Sequence, residues 1–380
     1  MSPKPIYLDY NATTPLLPEV VEAMLPYLTT HFGNPSSAHI YGQEPKRAVA
    51  HARECVAELI GCDADEILFT SGGTEANNLA IHGVAEARVD RPCIVTTVIE
   101  HPATAQPCNA LQACGRRIVL IGVDADGRAD VESARREIGS DVALVTLMHS
   151  NNETGVLQPV NEFARLARAA GAFIHTDAAQ SLGKVPVRVH ELDVDLLSIA
   201  GHKLYAPKGI GALYVRRGTP LAPWTRGANQ ERGLRPGTEN VASIVALGAA
   251  CAAVARDLAE AAARMRSLRD RLEQRLAASI PGLALNGHRE LRLPNTLNVR
   301  FPHCTGSAVL TAADTVAAST GSACHSGEVT APAVILAMGV PQVEALGSVR
   351  LSLGRGTTQS DIDAAADALI AAWHCASGEA

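Results

Sequence analysis

From residue 64 to 215 the chain alternates short aliphatic and β-branched runs with segments of helical period, and no other feature narrows its fold as much. The runs are EILFT, CIVTTV, RIVLIGV, ALVTLMH, AFIHTD, DLLSIA and GALYV. In NEFARLARAAG, between two of them, Phe163, Leu166, Ala167 and Ala170 fall on one helical face and Gly171 supplies the stop. Such alternation builds an α/β domain around a mostly parallel central sheet. Functional residues of these sheets collect in the loops beyond the carboxyl ends of the strands.

After this region comes an Ala- and Arg-rich helical stretch, roughly 240 to 278. NTLNVRF, a helix-like GSAVLTAA, a loop rich in Ser, Gly and Thr, the strand SVRLSLG and a last helix from about Ser360 to Trp373 follow. Residues from about 260 onward therefore read as a smaller α+β domain. With 47% hydrophobic residues but 3% aromatic, both cores must be built from Ala, Val, Leu and Ile.

A formal net charge of −6 with no long basic run argues against nucleic acid as the partner. The opening MSPKPIYLDYNATTP lacks an apolar signal segment, and the Ala-rich uncharged run Asn240 to Ala255 is shorter than the ~20 residues that span a bilayer. These features predict a cytoplasmic protein with no membrane segment. The nine cysteines are odd in number and form no CxxC pair, which argues against a disulfide framework or a zinc site and predicts that most are buried, with Cys375 near the surface.

Three strand-end motifs stand out. In FTSGGTEANN, a strand runs into a helix beginning near Glu75; two glycines, Thr74 and a helix N-terminus suit a phosphate, although the loop reads equally as a plain glycine turn. Asp177, at the end of FIHTD, is either a helix N-cap or a partner for a protonated ring nitrogen. Lys203, past the end of DLLSIA, is either a solvated charge or an amine able to form a Schiff base. Jointly, a phosphate cradle, a strand-end acid and a strand-end lysine match what pyridoxal 5'-phosphate requires.

YLDYNATTP, FGNPSS, TSGGTEANN, EHPA, NNETG, HTDAAQ, GHKLYAPKGIGALY, RPGTEN, GSACHS and RLSLGR follow one another over nearly the whole chain. In this order they resemble the class I, pyridoxal-phosphate-dependent cysteine desulfurases and the closely related selenocysteine lyases. The resemblance implies the fold-type I, class V aminotransferase architecture, with residues 15–258 as the large domain and 1–14 plus 259–380 as the small one. It also implies a homodimer, L-cysteine or L-selenocysteine as substrate, and a sulfur-acceptor protein such as an iron–sulfur scaffold.

Carried over motif by motif, the resemblance makes Lys203 the cofactor's imine partner and Asp177 the partner of its pyridine nitrogen. His101 would lie over the ring, where the plain alternative is a strand-end histidine with a satisfied hydrogen bond. Asn152 and Gln180 would bond the ring substituents, though such amides elsewhere serve as turn or cap residues. Gly73, Thr74, His202 and, from the partner subunit, Thr238 would hold the phosphate. Arg350 would grip the substrate carboxylate with help from Asn34; the alternative for Arg350 is a surface ion pair. Many relatives carry a serine three residues before the lysine. This chain has Ala200, which predicts one missing phosphate hydrogen bond and a loss of ~1 to 2 kcal/mol in cofactor retention.

Breaking the substrate's carbon–sulfur bond with the electron pair left on carbon requires a soft nucleophile to take the sulfur, and a thiolate suits that role. Cys324 is the cysteine set in a stretch of small residues, STGSACHSGEVTAP, that predicts a mobile loop, with His325 beside it to assist deprotonation. The resemblance places the persulfide-forming cysteine there. Selenocysteine lyase activity is the first rival; a non-catalytic or nucleotide-binding α/β protein is the second.

Overall fold

The computed structural model describes residues 4–321 and 330–378. Strand β1 (Ile6–Tyr7) lies near the start, and seven further strands build the central sheet: β2 (Ile67–Thr70), β3 (Cys93–Thr97), β4 (Arg117–Ile121), β5 (Val142–Met148), β6 (Phe173–Asp177), β7 (Leu196–Ala200) and β8 (Gly211–Val215). Their spatial order is β2-β8-β7-β6-β5-β3-β4, and only β8 runs against its neighbours. All seven aliphatic runs are therefore strands, and the mostly parallel α/β sheet is borne out.

Except at the edge strand β4, where Arg117 and Leu120 are exposed, the strands are buried on both faces because helices cover each side, as parallel sheets require. Consecutive residues alternate between two cores. Leu68, Ile94, Leu144 and Leu196 pack with Leu79, Ile81 and Val84 of helix Gly73–Ala87. Phe69, Val95, Val145 and Leu197 pack on the opposite face with Phe163, Ala164 and Ala167 of helix Val160–Ala170. That helix ends at Gly171 in the left-handed conformation (φ 67°), the stop expected from the sequence. Leu166 is only partly buried against this core.

A further core lies over a three-stranded sheet, β9 (Ala284–Leu285), β10 (Thr296–Arg300) and β12 (Ser348–Ser352); β11 (Val316–Ala317) pairs instead with β1. Leu268, Leu272 and Leu276, one turn apart on helix Leu258–Ser279, meet Val299, Leu351 and Trp373 there, together with Leu8 from the N-terminal segment. The helical stretch from 240 to 278 is two helices rather than one. Val241–Arg256 and Leu258–Ser279 meet at 74°, and Asp257 sits between them. Arg355 supports this corner by donating to the Asp257 carboxylate (2.6 and 2.8 Å) and to the Val254 carbonyl (3.3 Å). The final helix is also longer than expected, running Gln359–Ser377.

Among the described residues no single helix is long and apolar enough to cross a membrane. Burial of the cysteines departs from the sequence expectation. Of the eight described, Cys93, Cys108 and Cys251 are buried, Cys55, Cys62 and Cys304 are half-buried, and Cys114 and Cys375 are exposed. Cys114 is exposed because it caps the end of helix Pro102–Ala113, where the chain turns at the surface.

Candidate active site

The carboxyl ends of β5, β6 and β7 and the N-terminus of helix Gly73–Ala87 converge on a cavity of about 570 Å³, within the size range of cofactor pockets. Gly73, Thr74, His101, Asn152 and Asp177 line it, as do Gln180, Ala200, His202, Lys203 and Arg350. Sequence motifs spread over nearly 280 residues thus meet in one space. Asn34 and Thr238 are not in this lining. Both are exposed, and Asn34 closes its own turn by accepting the Ser36 N–H (2.9 Å). Cys324 lies outside the described residues.

The helix here starts at Gly73, two residues earlier than the sequence suggested. Gly72 takes φ 154°, which side chains rarely adopt, and a Cβ on Gly73 would stand 3.2 Å from that of Ala200. The two glycines therefore keep an open cradle lined by backbone N–H groups at the positive end of a helix. Glu75 braces the turn by accepting the Ser71 N–H (2.6 Å) while paired to Arg235 (2.8 Å).

Asp177 ends β6 and is buried, with one oxygen accepting the Ala179 N–H (2.9 Å) and the other the Asn77 amide (2.7 Å). It both caps a turn and faces the cavity, so the two sequence readings are compatible. His101 caps helix Pro102–Ala113 through Nδ1, which accepts the Ala103 N–H (3.0 Å). Desolvation lowers its pKa, leaving a neutral ring whose proton is on Nε2. Burial, reinforced by Lys203, brings His202 down to about 4.

Lys203 leaves β7 through a single 3-10 turn, and its Nζ donates to the carbonyls of Asn11 (2.5 Å) and Ala12 (2.7 Å). Burial first, then the charge of Arg350, pushes its pKa down to about 8. Lys203 is therefore not a solvated surface charge. The Gln180 amide is held at both ends, donating to Asn11 O (2.9 Å) and accepting from the buried Lys184 ammonium (3.0 Å). Arg350, on β12, is buried as well. It donates to Asp9 (2.7 Å), to Glu153 (3.0 Å) and to the Asn152 carbonyl (3.1 Å), so the surface ion pair is excluded.

Sequence reasoning missed Asn11, Asn77, Glu153 and Lys184. Each acts on a residue that was recognised, but no local spacing pattern joins the pairs. A carboxylate, an amine of lowered pKa and an open anion cradle in one cavity form the donor set that pyridoxal phosphate needs, and the space left by Gly73 admits its phosphate group.

Comparison with known proteins agrees with this geometry. Residues 6–365 match the family described as aminotransferase class-V. The chain is 46% identical to a cysteine desulfurase of Trichormus azollae over 360 residues, covering 94% of this chain and 90% of the relative. It is 45% identical to the cysteine desulfurase NifS of Azotobacter vinelandii over 361 residues, with the same two coverages. A solved NifS-like protein superposes with a TM-score of 0.90 at 34% identity, covering 97% of this chain and 98% of that one.

Proposed function

The chain belongs to the class-V aminotransferase family and within it to the cysteine desulfurases, and on that footing we propose that it converts L-cysteine to L-alanine by passing the sulfur to Cys324. The observation that carries this reading is the convergence of Lys203, Asp177 and Arg350 on one cavity beside the Gly72–Gly73 cradle. Pyridoxal phosphate, bound there, supplies an electron sink for the carbon next to the substrate amine. Gly73, Thr74 and His202 would hold its phosphate, with Thr238 contributed by a second copy. Asp177 would set its carboxylate at the ring nitrogen, His101 would lie against the ring, and Asn152 and Gln180 would bond its substituents.

The protein's own groups divide the remaining work. Arg350 fixes the substrate carboxylate, which orients the amino acid. Lys203, whose lowered pKa makes the neutral amine accessible near neutral pH, takes the proton from the substrate α-carbon and returns one. The carbon–sulfur bond breaks as a sulfur–sulfur bond forms on Cys324, the carbon side chain gains a proton, and alanine leaves. The persulfide is then available to a sulfur-acceptor protein for iron–sulfur or thio-cofactor assembly.

A homodimer is part of the proposal. Phe32 (75% exposed), Ile40 (73%), Tyr41 (63%) and Leu28 (61%) are exposed apolar side chains, and Phe32 stacks on Tyr41. A second copy would cover such side chains. Incubation of the loaded protein with L-cysteine and no reductant tests the function: the peptide containing Cys324 should gain one sulfur, removable by dithiothreitol, with alanine formed. Sulfur appearing first on Cys114 or Cys375 would refute the acceptor. A kcat/KM far higher for L-selenocysteine than for L-cysteine would move the assignment to a lyase.

A further inference from the structure

Both terminal nitrogens of Arg350 are already engaged before any substrate arrives, while its Nε is buried with no partner among the described residues. Asp9 accepts from one terminal nitrogen at 2.7 Å and Glu153 from the other at 3.0 Å. Of these two carboxylates, Glu153 lines the cavity and Asp9 does not. A substrate carboxylate entering from the cavity therefore meets Arg350 on the side that Glu153 occupies, and three anions would then share one buried guanidinium. Like charges so close disfavour one another's ionisation, and the group with the poorest hydrogen bonding yields first.

Glu153 is that group. Its Oε1 accepts from Arg350 and from the Asn152 amide (2.7 Å), whereas its Oε2 is buried with no hydrogen-bond partner among the described residues. A Cβ on Gly321 would stand 2.1 Å from Oε2, so the backbone of Gly321 closes that side against a compensating donor. Among the described residues, the charged groups that face Glu153 are Arg350 from β12, Asp9 from the segment after β1 and Lys203 from the turn after β7. Desolvation raises its carboxyl pKa most, with Arg350 opposing and Asp9 adding to the rise.

We propose that capture of the substrate carboxylate by Arg350 is coupled to protonation of Glu153, a positioning residue that gives up its charge as the substrate's charge arrives. The proton comes from bulk solvent and settles on Oε2, and no bond to carbon changes. The protonated carboxyl then no longer repels the incoming carboxylate. The inference rests on Arg350 as the carboxylate grip.

The test uses the loaded enzyme and propionate, a carboxylate without an amine, so that only carboxylate capture is read. Inhibition constants against L-cysteine are taken from about pH 5.5 to about 9 for wild type, Glu153→Gln, Asp9→Asn and Arg350→Gln. Calorimetric titration in two buffers of different ionisation enthalpy counts the protons. Wild type should lose affinity by up to about tenfold per pH unit as Glu153 ionises, and take up about one proton on the high-pH side. Glu153→Gln, uncharged throughout, should bind propionate with a flat profile and no uptake. Asp9→Asn, which removes a charge that keeps Glu153 protonated, should move the wild-type slope to lower pH, and this arm decides the matter if Glu153→Gln does not fold. A flat wild-type profile, a slope and proton count that persist in Glu153→Gln, or an unmoved slope in Asp9→Asn overturns the coupling. Equal propionate affinity in Arg350→Gln overturns the assignment of Arg350 instead.

Discussion

Reloading the stripped protein with pyridoxal phosphate should depend on pH in a way set by Lys203. The neutral amine attacks the cofactor aldehyde, and the ammonium does not. Burial and the Arg350 charge bring Lys203 from 10.5 to about 8, although two carbonyls at 2.5 and 2.7 Å favour the ammonium. At pH 7 a lysine of pKa about 8 is neutral roughly one time in ten, against about one in 3,000 for an ordinary lysine, a gain of about 300-fold. The rate of forming a borohydride-reducible adduct on Lys203 should therefore rise about tenfold per unit up to about pH 8 and then level off. Keeping above about pH 7 avoids the second ionisation of the cofactor phosphate. Arg350→Gln, which removes a nearby positive charge, should move the plateau to higher pH. A rate still climbing tenfold per unit beyond about pH 9.5 would show that the cavity does not desolvate Lys203, and the reasoning would fail.

Three further outcomes follow from the site. Ala200→Ser places a hydroxyl beside the Gly73 cradle and should tighten pyridoxal phosphate by about fivefold, one hydrogen bond worth ~1 kcal/mol, in a titration of stripped protein; equal affinity would mean another group already serves that oxygen. Asp177→Asn keeps the turn but removes the charge, and steady-state assays should show kcat lower by roughly 10²-fold with cofactor still bound; an unchanged kcat would reduce Asp177 to its cap of Ala179. Cys324→Ser should still bind cofactor and L-cysteine yet release neither sulfide nor alanine at more than a trace rate, since a hydroxyl is a hard, un-ionised nucleophile near neutral pH. Full turnover in that variant would remove Cys324 from the mechanism.

The residues legible in the sequence are those whose roles are written into a few consecutive positions. Asp177 and Lys203 follow aliphatic runs, and Thr74 follows two glycines, so a strand end announces each of them. Their supports are legible only in three dimensions, because the partners are far apart: 192 residues separate Lys203 from Asn11, 100 separate Asp177 from Asn77 and 197 separate Arg350 from Glu153. Arg350 was recognised through its motif, but its environment was not, since burial of an arginine depends on which carboxylates the fold brings beside it. The corner at Asp257 escaped notice because neither glycine nor proline marks it; an arginine 98 residues later does the work. The sheet, by contrast, was readable throughout, because strands buried on both faces need no partner-specific information to declare themselves.

The N-terminal segment ties the lysine to a part of the chain that is made much later. Asn11 offers its carbonyl to Lys203, while its own N–H is held by Ser352 (2.9 Å) and its amide by Thr296 (2.9 Å); β1, just before it, pairs with Val316 and Ala317. On the ribosome, the cradle, Asp177 and Lys203 will all have emerged while these clasps are still unmade. The lysine's environment is thus completed only after Ser352 has been made, 149 residues beyond Lys203, and cofactor loading is expected to follow that point. Ribosome-bound chains arrested before Ser348 should give no stable reduced adduct at Lys203, whereas released full-length chains should give one; efficient labelling of the arrested chain would show that the N-terminal clasp is dispensable.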